Sequence, residues 1–518
     1  RDKAQWMIAI TQYADRLLKD LDSVDYLEKI KTQQRNWIGR SEGVNITYPI
    51  HGLETTITVF TTRPDTNFGA TFLVVAPDSE FVQKNFESFS DKVAAKMYRD
   101  TALKKTNEER LADGRKKSGV ATGLFAINHF TQKKMPIYMS DFVIGTFGTG
   151  AVVGVPGHDV RDFEFAQAHG IVIVRVVVGP DGDVSPIKNV EQVQEKEGVM
   201  IHSDFLNGLD IHRATQVISD YLIEHGWGTR EVNYKLRDWL FSRQRYWGEP
   251  IPLISCETCG WVPVSNEQLP VTLPDVEKFE PTDSGESPLA MMTDWVNTLC
   301  PTCGGSAKRE TDTMPNWAGS SWYFLAYAMH TELNAQPADQ LPTANYQLLQ
   351  HWMPVDWYNG GMEHTTLHLL YSRFWNKFLF DRGHVPTSEP YTKRTRHGLI
   401  LAEDGTKMSK SKGNVVNPDE MVELYGADAV RLFELFMGPF AEPVPWNVNG
   451  LIGMRRFLEK VIDVHATVQD TDQQETHEHL RSLHKTIKKV TEDIEAMRFN
   501  TAVSALMIFI NDVKDSTP

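Results

Sequence analysis

The sequence predicts an α/β protein of several domains, and three observations carry that prediction. The chain has 518 residues, enough for roughly three or four domains of ordinary size. Its texture turns from helical to strand-rich near 36–43 and turns back near 236–248. Its tail places apolar residues at helical spacing. Hydrophobic residues make up 41% and charged residues 23%, the balance of a globular protein that buries real cores. The longest apolar runs, such as 171–178 with Arg175 inside it, suit buried strands. They are far too short to span a bilayer, so no membrane partner is expected. No secretory signal opens the chain, and its start at Arg1 inside a helical pattern reads as a fragment or a processed form. The 4 cysteines fall in two close pairs. That is not a secreted disulfide framework, and a cytoplasmic location is expected. The net charge of −15 argues only mildly against a nucleic-acid partner, because phosphate binding depends on local Lys/Arg patches.

In chain order, residues 5–27 carry Leu, Ile and Ala at helical spacing and predict helices. Asn36-Trp-Ile-Gly-Arg-Ser-Glu-Gly43 breaks that pattern. From Val44 to about Tyr234, short β-branched runs alternate with Gly, Pro and Asp turns. Strands are predicted at 56–61, 71–75, 135–138, 151–155 and 171–178, and helices at 90–101 and 211–225, which makes a mixed α/β domain. Leu236-Arg-Asp-Trp-Leu-Phe-Ser-Arg-Gln-Arg-Tyr-Trp-Gly248 marks the second change. A Pro-rich stretch then holds the cysteines, and aromatic-rich helices with intervening strands follow to about Phe440. In the tail, Leu483, Ile487, Val490, Ile494 and Met497 predict one buried stripe of an amphipathic helix.

Gly405-Thr-Lys-Met-Ser-Lys-Ser-Lys-Gly-Asn414 puts lysines at 407, 410 and 412 between two glycines. Lysine is a flexible point charge suited to phosphate oxygens, and glycine permits close backbone approach. Such a loop can neutralise charge that builds on a triphosphate. An arbitrary loop of this kind is more often a solvated basic turn. Here the string Lys407-Met-Ser-Lys-Ser411 resembles the signature of class I aminoacyl-tRNA synthetases. Lys412-Gly-Asn-Val-Val-Asn-Pro418 and Tyr425-Gly-Ala-Asp-Ala-Val-Arg431 follow as in that class. The resemblance implies catalytic roles for Lys407 and Lys410, with Met408 and Ser409 beside the ATP. The second signature of the class, His-x-Gly-His, is absent. In that family it lies upstream of the editing insertion. The expectation is therefore that part of the ATP site precedes Arg1 and that this chain alone activates its amino acid poorly.

Three strings resemble bacterial leucyl-tRNA synthetases rather than the isoleucyl or valyl enzymes. They are Asn36-Trp-Ile-Gly-Arg-Ser-Glu-Gly43, the run from Arg309 through Asn316-Trp-Ala-Gly-Ser-Ser-Trp-Tyr323, and Tyr358-Asn-Gly-Gly-Met-Glu-His-Thr-Thr-Leu-His368. The likeness runs nearly end to end. It implies that Trp317, Ser320, Tyr323 and His368 line the leucine pocket, and that Gly361, Glu363 and His364 sit by the adenosine. An aromatic-walled pocket with few polar groups suits an apolar amino acid. Trp317 stands where many leucyl enzymes carry Phe. The short link from Gly398 to Lys407 has no room for the extra leucine-specific domain some of them carry.

Two patches stand out in 44–234. One is Thr61-Thr-Arg-Pro-Asp-Thr66. The other is Gly148-Thr-Gly-Ala-Val-Val-Gly-Val-Pro-Gly-His-Asp-Val-Arg-Asp162. Either alone is commonly a turn or a helix cap. Together they resemble the editing site of connective peptide 1. The family likeness implies that Asp162 holds the substrate ammonium and Asp159 assists. Thr66 blocks the branched leucine side chain, Thr61 and Thr62 contact substrate and water, and Val153 and Val155 form the wall. Arg63 and Asp65 complete the Thr-rich patch. Editing answers an energetic limit, because one methylene gives only about 1–3 kcal/mol of discrimination. No Ser/His/Asp or Cys/His set matches a known nucleophile motif, which favours direct attack by water. His158 is either a participant or a packed structural residue.

Cys256-Glu-Thr-Cys259 and Cys300-Pro-Thr-Cys303, each followed by Gly, are two matched knuckles. Four thiolates suit structural Zn2+, and a redox pair is the lesser alternative. The expected organisation is 1–43 helical connection, 44–235 editing domain, 236–255 return to the catalytic core and 256–310 zinc-binding insertion. Residues 311–440 are expected to form the second half of the Rossmann core, and 441–518 the start of a helical anticodon-binding domain. The expected activity is leucine–tRNA ligation with editing hydrolysis. Its ligands are leucine, ATP with Mg2+, structural Zn2+ and tRNA(Leu), and the chain is expected to be monomeric. The alternatives are a free-standing misacyl-tRNA deacylase and a non-catalytic tRNA-binding module.

Overall fold

The structure is a computed structural model that describes residues 3–111, 117–145, 148–280, 282–283, 285–329, 341–467 and 477–515. The chain forms two compact units, Ile38–Leu236 and a second built from Arg1–Trp37 with Arg237–Pro518. Among the described residues, no helix is long and apolar enough to cross a membrane.

In the inserted unit, strand Ser41–Pro49 lies between Gly228–Asn233 and Thr56–Thr61 in an antiparallel sheet, with Val44 opposite Thr61 and Ser41 opposite Asn233. Its alternation buries Val44, Ile46 and Tyr48 on one face, as a half-buried strand requires. A four-stranded sheet runs in the order Val120–Ile127, Lys134–Met139, Phe72–Val75, Ala151–Gly154. Phe72–Val75 is apolar throughout because both faces are covered. Leu73 and Val75 join the main core, while Phe72 and Val74 pack with Phe165 and Ala166.

Three expectations from periodicity need correction. The run 171–178 is a strand only at Val177–Val178. Ile171 and Ile173 pack on the Phe72/Phe165 cluster, whereas Val176 and Val177 enter the main core. The apolar content therefore serves two cores rather than one ladder. Residues 5–27 form short helical turns between Ile10 and Ser23, flanked by strands Met7–Ile8 and Asp25–Tyr26. Those strands are recruited by distant partners, Trp239–Leu240 and Tyr391–Arg396. The tail stripe lies on helix His477–Glu495, but Leu483, Ile487 and Ile494 are 36%, 52% and 52% exposed. The residue turned fully inward is Asp493. It accepts from Thr501 Oγ1 at 2.7 Å and Arg498 Nε at 2.9 Å and also pairs with Lys489, closing the turn into helix Phe499–Asp515. A polar anchor sets the helix rotation here in place of the apolar stripe.

The second unit centres on a parallel sheet ordered Val355–Gly360, Tyr391–Arg396, Asp25–Tyr26. Helix His368–Asp381 carries Arg373 and Lys377, one turn apart and both 0% exposed. Arg373 donates to both oxygens of Glu389 at 2.8 and 2.6 Å, to Gln34 Oε1 at 2.6 Å and to the Leu17 carbonyl at 3.0 Å. Lys377 donates to Glu389 at 2.7 Å and pairs with Asp20. An antiparallel ribbon carries the cysteines, ordered Gly260–Pro263, Leu253–Cys256, Ser306–Arg309, Asn297–Leu299.

Removing one partner of a buried ion pair strands the other charge at a cost of about 3–5 kcal/mol. Arg373→Leu is therefore expected to lower the urea unfolding free energy of this unit by about that amount. A loss below about 1 kcal/mol, the range of exposed pairs, would contradict the cluster's role.

Candidate functional site

The two editing patches meet at the edges of their sheets. Strand Thr56–Thr61 feeds a six-residue 3-10 helix, Pro64–Gly69, which buries Asp65, Thr66 and Asn67. Thr61 Oγ1 accepts from the Arg63 N–H at 3.0 Å, and Thr66 Oγ1 donates to the Arg63 carbonyl at 2.8 Å. Thr62 remains exposed. Arg63 grips the carboxylate of Asp65 at 2.7 and 2.9 Å. These two residues therefore stabilise the loop in this structure.

The second patch follows strand Ala151–Gly154. Gly154 faces Phe72, where any Cβ would fall 2.3 Å from the ring. At Gly157 a Cβ would lie 2.5 Å from the Val174 carbonyl. Asp159 caps helix Val160–His169, accepting from the N–H groups of Arg161 and Asp162 at 2.9 and 3.1 Å. Asp162 sits inside the first turn, buried, and its Oδ2 accepts from the Val155 N–H at 2.8 Å. Val153 and Val155 are buried beside it in the main core. Arg161 pairs with Asp159, and among the described residues no cation forms an ion pair with Asp162. Burial above all, then the neighbouring Asp159 charge, pushes the Asp162 carboxyl up to about 8.

His158 is structural. Its Nε2 accepts from the Val176 N–H at 2.9 Å, so Nδ1 carries the proton and donates to the Gln194 carbonyl at 3.2 Å. Burial drives its pKa down to about 3. Glu195 is a residue that sequence reasoning missed. Its carbonyl accepts from Arg63, and its carboxylate accepts from the Val160 N–H at 3.0 Å, so it ties the Thr-rich loop to the Asp162 helix. Nothing in its local sequence signals that role.

In the other unit, Trp317 and Ser320 lie on helix Asn316–Ser320, and Tyr323 opens the next helix. His368 Nδ1 is 3.2 Å from Ser320 Oγ, and Tyr391 Oη is 3.5 Å from His368 Nε2. The rings of Tyr323 and Tyr358 stand 6.0 and 5.6 Å from His368, and Trp317 lies 5.4 Å from His364. The structure thus gathers Trp317, Ser320, Tyr323, His364 and His368, and adds Tyr358 and Tyr391. Burial holds His368 neutral, its pKa lowered to about 4. Burial raises the Tyr323 phenol well above its ordinary value. The Glu363 carboxylate fills the space left by the missing side chain of Gly361. Sequence reasoning also missed Arg394, which donates to the Gly360 and Gly361 carbonyls at 3.1 and 2.9 Å and stacks on Tyr358 at 4.7 Å. It is buried with no carboxylate partner among the described residues, and burial lowers its pKa.

The lysine loop follows strand Ile400–Leu401, with left-handed glycines at Gly405 (φ +77°) and Gly413 (φ +66°). Asn414 braces it. Its Oδ1 accepts from the Ser409 N–H at 2.9 Å, and its Nδ2 reaches Thr406 Oγ1 at 3.1 Å and the Lys407 carbonyl at 3.3 Å. Met408 packs on the helical cluster of Val430, Phe433 and Leu451. Lys407, Lys410 and Lys412 are exposed, and among the described residues none forms an ion pair.

The cysteine knuckles close two hairpins of the ribbon. All four Sγ atoms lie within 4.8 Å of one another, with Cys256 and Cys303 at 3.7 Å. Zn–S bonds of about 2.3 Å in a tetrahedron require sulfur edges of about 3.8 Å, so the set fits a zinc ion. Hydrogen bonds from backbone N–H groups at Cys303 and Thr302 draw the Cys300 thiol down to about 6.

Comparison with known proteins gives the class and then the branch. Residues 229–444 match the class I tRNA synthetases for isoleucine, leucine, methionine and valine, and residues 477–516 match the anticodon-binding domain of tRNA ligases. The chain is built on class I aminoacyl-tRNA synthetase domains. Residues 35–223 match the leucyl-tRNA synthetase editing domain. The chain is 53% identical to the leucine–tRNA ligase of Alkaliphilus oremlandii over 99% of its own length and 63% of that protein's. It also resembles the Agrobacterium radiobacter K84 enzyme solved with tRNA and LeuAMS, with a TM-score of 0.78 and 35% identity over 99% of this chain and 61% of that one.

A pH dependence follows from Asp162. Its folded pKa of about 8 lies above the ordinary 3.8, so the fold favours the protonated form. Its contribution to stability is full below about pH 4 and is lost as pH rises through about 8. Relative to wild type, Asp162→Asn should remove that decline and flatten the urea midpoint across the window. Parallel profiles for the two proteins would contradict it.

Proposed function

We propose that the inserted unit hydrolyses misacylated tRNA(Leu), and that the chain carries the residues of leucine–tRNA ligase chemistry but performs it poorly by itself, for want of a His-x-Gly-His signature. The observation that carries the editing reading is Asp162, a buried carboxylate with no ion-pair partner among the described residues. Such a group calls for a cation, and the α-ammonium of an aminoacyl ester supplies one. Ammonium binding ionises the carboxyl, because an opposite charge at contact distance favours the charged form. Val153 and Val155 wall the side chain. Thr66 excludes a branched leucine side chain. Water attacks the ester carbonyl, and the amino acid and the ribose hydroxyl of the tRNA leave.

In the other unit, leucine and MgATP are the substrates. Trp317, Tyr323 and His368 surround the leucine side chain, and Glu363 receives a ribose hydroxyl. The leucine carboxylate attacks the α-phosphorus and pyrophosphate departs. Lys407 and Lys410, carried on a glycine-hinged loop, neutralise the charge on the phosphates. Residues 256–310 hold Zn2+ through Cys256, Cys259, Cys300 and Cys303. The ion fixes the two knuckles and takes no part in the reaction.

Hydrolysis of norvalyl-tRNA(Leu) beside leucyl-tRNA(Leu) tests the editing half. Wild type should clear the norvalyl ester and spare the leucyl one. Asp162→Ala should lose about 100-fold or more in rate, the scale of a misplaced or missing binding group. Thr66→Ala should begin to hydrolyse the leucyl ester. Survival of both esters with wild type would defeat the assignment.

Metal analysis tests the ribbon. One zinc per chain is expected, absent from a Cys256→Ser/Cys303→Ser variant whose ribbon becomes protease-sensitive. Equal zinc in both proteins would exclude this site.

A further inference from the structure

Thr66 makes one side-chain hydrogen bond, to its own loop, yet its neighbours on both sides are anchored into the core. Asp65 is fully buried, held by Arg63 and with Thr215 Oγ1 3.1 Å from its Oδ1. Asn67 is buried and enters a polar network that the hydrolytic chemistry does not use. Asn128 Nδ2 donates to the Asn67 carbonyl at 2.9 Å and lies 3.2 Å from its Oδ1. Asn67 Nδ2 donates to the Tyr48 hydroxyl. Asn128 Oδ1 accepts from the Phe130 and Thr131 N–H groups at 2.9 and 3.2 Å, which fixes the turn that presents it. Asn128 and Tyr48 are each 0% exposed.

We infer that Asn128 and Tyr48 are positioning residues that set the selectivity of the editing site, by fixing Asn67 and with it the place of Thr66. The inference rests on the editing reading above. The physical argument concerns tolerance. Excluding a side chain that differs by a methyl branch depends on the position of a wall to a fraction of an ångström. A hydroxyl and a methyl on a six-residue 3-10 helix supply no such rigidity by themselves. Buried, fully satisfied amides do, because displacing any member strands a polar group in the core. The network serves the wall and touches no reacting atom. Loosening it should therefore admit the larger ester before it slows the smaller one.

The experiment compares the full chain with Tyr48→Phe and Asn128→Ser. Tyr48→Phe removes only the acceptor of Asn67. Asn128→Ser keeps a short acceptor for the turn but cannot reach Asn67. Val82→Ala, in the same core but on helix Glu80–Asn85, serves as a destabilised comparator. Rates on leucyl-tRNA(Leu) and norvalyl-tRNA(Leu) are read together with urea midpoints. The leucyl-to-norvalyl rate ratio should rise about tenfold in both network variants, the scale of a small misplacement, and stay unchanged in Val82→Ala. A ratio within twofold of wild type in the network variants overturns the inference and leaves the network a stability element. So does an equal rise in Val82→Ala. A wild-type chain that clears neither ester sinks the editing reading itself, and this inference with it.

Discussion

The buried charge cluster of Arg373, Lys377, Glu389 and Asp20 is the constraint on which the catalytic unit depends. The chain leaves this unit after Trp37 and returns at Arg237, so its sheet is assembled from segments hundreds of residues apart. Apolar packing alone is non-directional and sets no register between such segments. The Arg373 fork does set one. It grips Glu389 with two bonds and spends the rest on Gln34 and the Leu17 carbonyl. Gln34 in turn donates to the Thr365 carbonyl at 2.8 Å. One guanidinium thereby links the segment before the insertion, the helix that starts at His368 and the strand that starts at Tyr391. That strand carries Arg394, and that helix begins with His368, so the side chains gathered around His368 inherit their placement from the cluster.

The two candidate sites use burial with opposite sign. In the inserted unit a carboxylate is buried with no ion-pair partner among the described residues, which suits a ligand that brings an ammonium. In the second unit a guanidinium, Arg394, is buried with no carboxylate partner among the described residues; it donates to the carbonyls of Gly360, Gly361 and Thr395 and lies over the Tyr358 ring, while its Nε has no partner among those residues. It stiffens the Gly360–Gly361 turn against which Glu363 lies. The lysine loop, by contrast, leaves Lys407, Lys410 and Lys412 exposed to solvent.

Legibility followed the range of the interactions involved. Local patterns gave the strand-rich insertion, the strand Thr56–Thr61 and the close set of cysteine sulfurs, because each is decided within a few residues. The run 171–178 misled because a continuous apolar segment reads the same whether it serves one core or two. The tail stripe misled because Asp493, a single charged residue, fixed the helix rotation through partners beyond the helix end. Within the candidate sites, Thr66, Asp162 and the aromatics Trp317 and Tyr323 were singled out through family strings. Glu195, Arg394 and Asn128 were not. Each acts through residues 34 to 132 positions away, as with Arg394 on Gly360, Asn128 on Asn67 and Glu195 on Arg63. No spacing rule reaches that far.

Rigidity is distributed according to what each site must do. Synthesis needs cations that can follow a moving charge, and the lysine loop has left-handed glycines at both ends, exposed lysines and one bracing residue, Asn414. Discrimination needs a wall that does not follow its ligand. The loop holding Thr66 is buried at four consecutive residues, 64 to 67, and tied to strand Ser41–Pro49 through Tyr48 and to helix Ile211–Glu224 through Thr215. A methylene in a pocket is worth only about 1–3 kcal/mol. A wall that yields by a comparable energy would erase that difference. The buried amides raise the cost of yielding, since each unmade hydrogen bond there costs about 1–3 kcal/mol. The energy that separates side chains differing by one methylene is thus of the same scale as each hydrogen bond that holds the loop behind Thr66.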